Sequence, residues 1–129
     1  MFKMLTIATV AIMLAGCSAA PAATPTPTPK ATYGEVVELR DAAVAAGYPC
    51  PSWNQDNRVT LAAGSGSCSS ADVFSVYLTQ DAVQQLVTKA KGLPGNRTWL
   101  VGQNWVINAP DEAIAKLQPV LGGQRVEFN

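Results

Sequence analysis

Residues 97–108 read RTWLVGQNWVIN, and this stretch decides the fold. Two short apolar runs, Arg97–Val101 and Asn104–Asn108, flank the pair Gly102-Gln103. Strands joined by such a short connection pair antiparallel, and glycine at the first central position suits a type II′ turn. The stretch therefore predicts a β-hairpin.

The residues after the hairpin predict a helix and a final strand. Residues 110–121 begin with proline and two acidic residues, which favour the first turn of a helix. Pro119 is expected to kink or shorten this helix, the pair Gly122-Gly123 to end it, and residues 125–128 to add a last strand. The apolar positions recur at helical spacing, at Ile114, Leu117 and Leu121.

The residues before the hairpin predict a strand followed by a helix. Residues 72–78 are rich in β-branched and aromatic side chains, as is typical of strands. The helix should start at its cap Thr79 and run to Lys91, with Asp81 in its first turn, Lys89 in its last and Gly92 beyond its end. These charges interact favourably with the helix dipole at both termini.

A further helix is expected at the start of the domain. Thr32 and Glu35 have the spacing of a capping box, and Gly47 is placed to end the helix in a left-handed conformation. Residues 58–63 then predict a strand, and residues 64–67, GSGS, a flexible turn.

Residues 32–129 are therefore expected to form a single α+β domain of about one hundred residues. Hairpins give antiparallel neighbours, and each helix has only one apolar stripe. We expect two layers, a mostly antiparallel sheet with the helices on one face.

The N-terminal leader ends in Leu14-Ala15-Gly16-Cys17, after a short apolar run with one basic residue, Lys3, ahead of it. This pattern resembles the lipobox of bacterial lipoproteins. The resemblance implies that residues 1–16 are a signal peptide, that the thiol of Cys17 receives a diacylglyceryl group, and that cleavage leaves Cys17 first. The apolar run of about ten residues is too short to span a bilayer, which takes roughly twenty. The alternatives are a secretory signal with an incidental cysteine and a short uncleaved anchor.

Residues 17–31 form a linker rich in threonine and proline, with Thr24–Pro29 as a dipeptide repeat. Alternating prolines favour extended polyproline II, which would hold the domain on the order of 40 Å from the membrane. The expected location is thus the extracytoplasmic face of the cell membrane, with the membrane itself as one partner through a lipid at Cys17. Whether the threonines carry O-linked sugar is left open.

Outside the cytoplasm, the environment favours oxidation of cysteine thiols to disulfides. Cys50 and Cys68 are the cysteines that remain once Cys17 is lipidated. We expect a disulfide between them, closing a loop of about nineteen residues. A redox or metal pair is disfavoured, because the spacing is wrong for Cys-x-x-Cys and the chain has no histidine.

Residues 100–108 and the helix after them also resemble small lipoproteins of high-GC Gram-positive bacteria and of their phages. The resemblance covers only this part of the chain. It implies no activity and no residue role.

Composition disfavours several classes of function. The chain has nine basic and nine acidic side chains and no histidine, and removal of Lys3 leaves eight basic residues against nine acidic ones. A nucleic-acid partner is therefore not expected, since such proteins carry a clustered basic excess. No cofactor or metal is expected, and we predict no enzymatic activity, because the serines lack a positioned base. Asp56 and Asp72 are the carboxylates without another assigned role.

These features favour a membrane-anchored, surface-displayed lipoprotein with a small binding domain. Tyr48 and Trp53 are candidate ligand contacts, because they lie on a proline-rich loop braced by the disulfide. The partner would be an envelope protein or a glycan. The competing interpretation is that Trp53, like Trp99 and Trp105, fills the core. The alternative functions are a phage-encoded lipoprotein for superinfection exclusion and a small cell-envelope hydrolase.

Overall fold

A computed structural model describes residues 30–129, which form three α-helices and a five-stranded sheet. The predicted leader, the predicted lipidation site Cys17 and the predicted linker up to residue 29 lie outside the described residues. The elements are α1 (Val36–Ala45), β1 (Gly64–Gly66), β2 (Val73–Val76), α2 (Gln80–Lys91), β3 (Arg97–Val101), β4 (Trp105–Asn108), α3 (Asp111–Leu121) and β5 (Gln124–Phe128).

The sheet has the strand order β1-β2-β4-β3-β5, and every neighbouring pair is antiparallel. The hairpin of β3 and β4 lies at its centre, with Val101 opposite Val106 and Leu100 opposite Ile107. The α+β class and the antiparallel sheet are confirmed, and so is the final strand β5.

The structure corrects the expected layering, because the helices cover both faces of the sheet. One apolar cluster joins Leu100, Trp105 and Ile107 to α1 and α3. The other cluster joins Trp99 and Val106 to α2. Successive side chains of a strand point to opposite faces, so apolar runs without alternation leave two faces to be covered. The continuous runs of the hairpin therefore demand a layer of helix on each side.

The termini of α2 agree with the prediction. The Thr79 side chain accepts a hydrogen bond from the Ala82 amide at 3.2 Å, with Asp81 in the first turn and Lys89 and Lys91 in the last. Gly92 follows the helix. Local polar groups and charges at the helix ends determine these boundaries.

The predicted capping box of α1 is wrong, although its glycine cap is confirmed. The N-cap is Glu35, whose side chain makes no capping hydrogen bond. The chain ahead of α1 is held instead by the hairpin turn, because the Tyr33 amide donates to the Asn104 side chain at 2.9 Å. At the other end, Gly47 has a φ of +98°, and the Tyr48 amide donates to the Ala43 carbonyl at 2.9 Å, as in a Schellman motif.

The predicted strand at residues 58–63 is wrong, and the predicted flexible turn at 64–67 contains β1. Asn57 and Leu61 have positive φ angles of 52° and 74°, which interrupt an extended strand there. Glycine is needed in β1 because a Cβ at Gly66 would lie 2.6 Å from the Trp53 ring. The glycines of this segment thus permit close packing instead of conferring flexibility.

The hairpin connection also differs from the type II′ turn. Positive φ angles occur at four glycines of the described chain, and Gly102 is not among them. Three residues, 102–104, connect β3 to β4. The Asn104 side chain donates to the carbonyls of Tyr33 and Tyr77 at 2.7 and 3.1 Å. The Asn104 carbonyl also accepts from the Tyr77 amide at 2.8 Å, so this residue joins three segments of the chain.

Helix α3 runs through Pro119 to Leu121, and its inward residues are those predicted. Gly122 and Gly123, with φ angles of 74° and 84°, then reverse the chain into β5. Within residues 30–129, none of the helices combines the length and the apolar character needed to cross a bilayer.

Candidate binding site

The predicted disulfide between Cys50 and Cys68 is present, with their Cα atoms 4.8 Å apart. It ties the loop after α1 to the segment that leads from β1 to β2. Cys68 is buried and belongs to the apolar cluster under α1 and α3. The bridge therefore fixes the loop that carries Tyr48 and Trp53 against the core.

A buried carboxylate reinforces this junction. Asp72 is only 3% exposed and accepts hydrogen bonds from the Cys68 amide at 2.7 Å and from the Ser69 amide and hydroxyl at 3.2 and 2.9 Å. It also accepts a 2.7 Å bond from the Tyr48 hydroxyl. With four donors around it, this carboxylate organises the loop. Asp56 forms an ion pair with Arg58, with 3.2 Å between Asp56 Oδ2 and Arg58 Nε.

Tyr48 is half-buried, and its hydroxyl is held by Asp72. Its ring packs edge-on against Phe74, with centroids 5.6 Å apart. Burial raises the pKa of Tyr48 well above the ordinary tyrosine value, and the hydrogen bond to Asp72 and the charge of that carboxylate raise it further. The phenol is therefore held in one position in the loop and stays protonated at neutral pH.

Trp53 contributes mainly to the core. Its ring also packs edge-on against Phe74, at 5.9 Å, and the Arg40 guanidinium lies 5.2 Å from the ring centroid. Its indole nitrogen is buried and has no hydrogen-bond partner within residues 30–129. These contacts favour the core-filling interpretation of Trp53, and they do not test ligand contact.

Tyr48 lines a groove of about 280 Å³ between the end of α1 and the first half of α3. One wall is formed by residues 46–49, and the other by Pro110, Ala113 and Leu117. Glu112 and Lys116, one helical turn apart, supply the charged residues of the groove. Trp53 does not line it. We define residues 46–49, 110, 112, 113, 116 and 117 as the Tyr48 groove.

The second wall of the Tyr48 groove was missed by sequence reasoning. Its residues follow β4, far from Tyr48 along the chain, and they read as an ordinary amphipathic helix start. Only the antiparallel course of the sheet, which returns the chain to this end, brings the two walls together. No local signal could have identified the pair.

The groove and Tyr33, which lies just after the predicted linker, are at opposite ends of the sheet. The pair Val73 and Asn108 marks the groove end, next to Asp72 and Pro110. The pair Val76 and Trp105 marks the other end, where Tyr33 is bonded to Asn104. A tether that continues from Lys30 towards the N-terminus therefore starts away from the groove.

A second cleft, of about 500 Å³, lies beside β5, and its charges are balanced internally. Arg125 pairs with both Asp111 and Glu127. Arg97 donates to the carbonyls of Ala90 and Pro94 at the end of α2. The arginines of this cleft therefore have structural partners.

Residues 30–129 contain no group of three or more cysteine, aspartate or glutamate side chains placed to hold a metal ion. Comparison of the chain with protein-family models, curated proteins and solved structures finds no match. Function has to be inferred from the residues and their geometry.

Proposed function

We propose that this chain is a membrane-anchored lipoprotein displayed on the cell surface, and that its domain binds an extended peptide segment of an envelope protein in the Tyr48 groove. The observation that carries the proposal is the placement of the groove, at the end of the domain away from the linker. A stalk attached through Cys17 would leave that end free to meet a partner.

The lining of the groove supports a peptide over a glycan. Two prolines, two alanines, a glycine, a tyrosine and a leucine form the walls, and the Tyr48 hydroxyl is already bonded to Asp72. Aromatic and proline-lined grooves suit the side chains of extended, proline-containing peptides. A glycan would require several free polar groups at the walls.

The rim supplies both signs of charge. Glu112 is exposed in the first turn of α3, and Lys116 follows it by four residues on the same helix face. Such a pair can bind polar groups of the peptide on either side of an apolar side chain seated in the groove. The disulfide and Asp72 hold the opposite wall rigid, which lowers the entropic cost of binding.

The anchor is tested by growing cells with labelled palmitate. The parent chain should incorporate the label and remain with the membrane fraction, whereas Cys17→Ala should do neither. Cys50→Ala is the matched control, because it removes a different cysteine and should keep the label. A parent chain that stays unlabelled would refute the anchor.

The groove is tested by photo-crosslinking in intact cells, with a photoreactive side chain placed at Lys116. Ala113→Phe, which would fill the groove, should abolish the crosslinked species. Ala115→Phe is the control, because Ala115 is exposed on the same helix and does not line the groove. Equal crosslinking in both variants would show that the groove is not the binding site.

A further inference from the structure

The two edge strands of the sheet, β1 and β5, differ in whether their outer backbone groups are hydrogen-bonded. At β1, the loop before the strand closes the edge, because the Asn57 amide donates to the Ser65 carbonyl at 3.1 Å and the Asn57 side chain accepts from the Ser65 amide at 3.1 Å. Asn54 and Ser67 add a further bridge. At β5, no loop or side chain of residues 30–129 hydrogen-bonds to the outer edge of the strand. That edge is open to another strand.

The residues of β5 are arranged symmetrically around Val126. Arg125 and Glu127 lie on one face of the sheet, where their side chains approach to 2.9 Å, and both are exposed. Val126 points to the other face and is half-buried against the cluster under α2. A cation and an anion thus stand at equal distances from the centre of the strand.

We propose that two copies of this chain associate through β5, paired antiparallel about a two-fold axis at Val126. In this register Arg125 of each copy lies opposite Glu127 of the other, which gives two pairs of opposite charge on one face. Val126 meets its own symmetry mate on the other face. Opposite charges that face each other across strands stabilise a sheet, and like charges destabilise it.

The same charges disfavour the neighbouring registers. Sliding the second copy by two residues places Arg125 opposite Arg125, or Glu127 opposite Glu127, depending on the direction. Charged residues on edge strands usually deter pairing. Here the order of the two signs deters the shifted pairings and permits the one that is centred on Val126.

The pairing would produce a continuous ten-stranded sheet. Because a two-fold axis perpendicular to the sheet keeps each face on its own side, both copies of α3 and both Tyr48 grooves would face the same way. A single five-residue strand buries little surface, so the association should be weak in dilute solution. Attachment of both copies to one membrane would raise their effective concentration and favour it.

The register is tested by introducing Val126→Cys into the full chain and oxidising isolated membranes. Residues opposite each other in an antiparallel pair have Cα atoms about 4.5 to 5.5 Å apart, within the range that a disulfide spans. A disulfide-linked dimer should therefore form. Gln85→Cys, exposed on α2, is the control, and the parent chain accounts for any thiol at Cys17. Protection of Cys50 and Cys68 from alkylation verifies folding.

The charges are tested in the Val126→Cys background with Arg125→Glu and Glu127→Arg. Each variant alone opposes like charges in both pairs, so we expect its dimer to weaken about tenfold. Co-expression of the two variants with different tags should restore crosslinking between unlike copies, because both pairs then have opposite signs.

Two results would overturn the proposal. One is crosslinking at Val126→Cys no greater than at Gln85→Cys, as expected if the linker or another protein covers β5. The other is failure of the mixed variants to crosslink better than either variant alone.

Discussion

The hydroxyl of Tyr48 donates a 2.7 Å hydrogen bond to the carboxylate of Asp72, across twenty-four positions of sequence. This bond joins the loop after α1 to the start of β2, beside the bridge between Cys50 and Cys68. One wall of the Tyr48 groove therefore depends on a buried charge as well as on a covalent link.

Asp72→Ala should lower the free energy of unfolding by about 3 kcal/mol, because the Cys68 amide and the Tyr48 hydroxyl would lose a charged acceptor in a buried position. The measurement is guanidinium unfolding followed by tryptophan fluorescence. Asp41→Ala is the control: Asp41 is exposed, and its one ion-pair partner within residues 30–129 is its neighbour Arg40, so the change should stay within about 0.5 kcal/mol. Equal losses in the two variants would contradict the structural role of Asp72.

Stability should fall as the pH rises above about 10, the ordinary tyrosine pKa. The pKa of Tyr48 is raised in the folded protein, chiefly by burial and then by Asp72, so the unfolded chain loses its phenolic proton first. A state that binds fewer protons is favoured at high pH, and here that state is the unfolded one.

The decline should be shallower in Tyr48→Phe. Some of it should persist, since burial also raises the pKa values of Tyr33 and Tyr77. Denaturant unfolding at about pH 8 and about pH 11 measures the slope. Identical slopes in parent and variant would show that Tyr48 does not titrate differently in the two states.

Removal of the disulfide in the double variant Cys50→Ala/Cys68→Ala should cost about 3 kcal/mol, from the loop-closure entropy of the unfolded chain. The unfolding midpoint should shift to lower denaturant. Reduction of the parent protein should give a similar loss, and it serves as the control for the effect of the alanines. A loss confined to the variant would point to packing at Cys68 as the cause.

The predictions that succeeded depend on local chemistry. Thr79 at the start of α2 and Gly47 after α1 determine helix ends through groups a few residues away. The hairpin around residue 102 is also a local feature, because its two strands are joined by the shortest connection in the sheet. Such features are visible in sequence without knowledge of the rest of the fold.

The predictions that failed depend on distant residues. Thr32 has the right spacing for a cap, but Asn104 holds the neighbouring backbone instead. Gly66 pairs with Phe74 in the sheet and leaves room for the Trp53 ring, neither of which the composition GSGS indicates. The Tyr48 groove escaped prediction for the same reason, since Ala113 reaches it only through the course of the sheet. Placement of α2 on the opposite face could have been inferred from the unbroken apolar runs of β3 and β4.

Gly102→Ala should disrupt the packing of the hairpin. A Cβ at this position would lie 1.9 Å from Cε2 of the Trp105 ring, so either the largest fully buried side chain or the turn must move. Because overpacking of a core typically costs about 1 to 3 kcal/mol, and the clash here involves a rigid indole, we expect a loss at or above the upper end of that range.

Gly92→Ala is the matched control, because the nearest atom to its Cβ would be the Lys89 carbonyl oxygen at 3.6 Å, and its φ of −85° suits any residue. It should leave stability unchanged or raise it by about 0.5 kcal/mol through the entropy of the unfolded chain. Thermal unfolding of the two variants in parallel measures the difference. If Gly102→Ala were as stable as Gly92→Ala, the indole of Trp105 could not lie against the hairpin turn, and the packing at the centre of the sheet would have to be different.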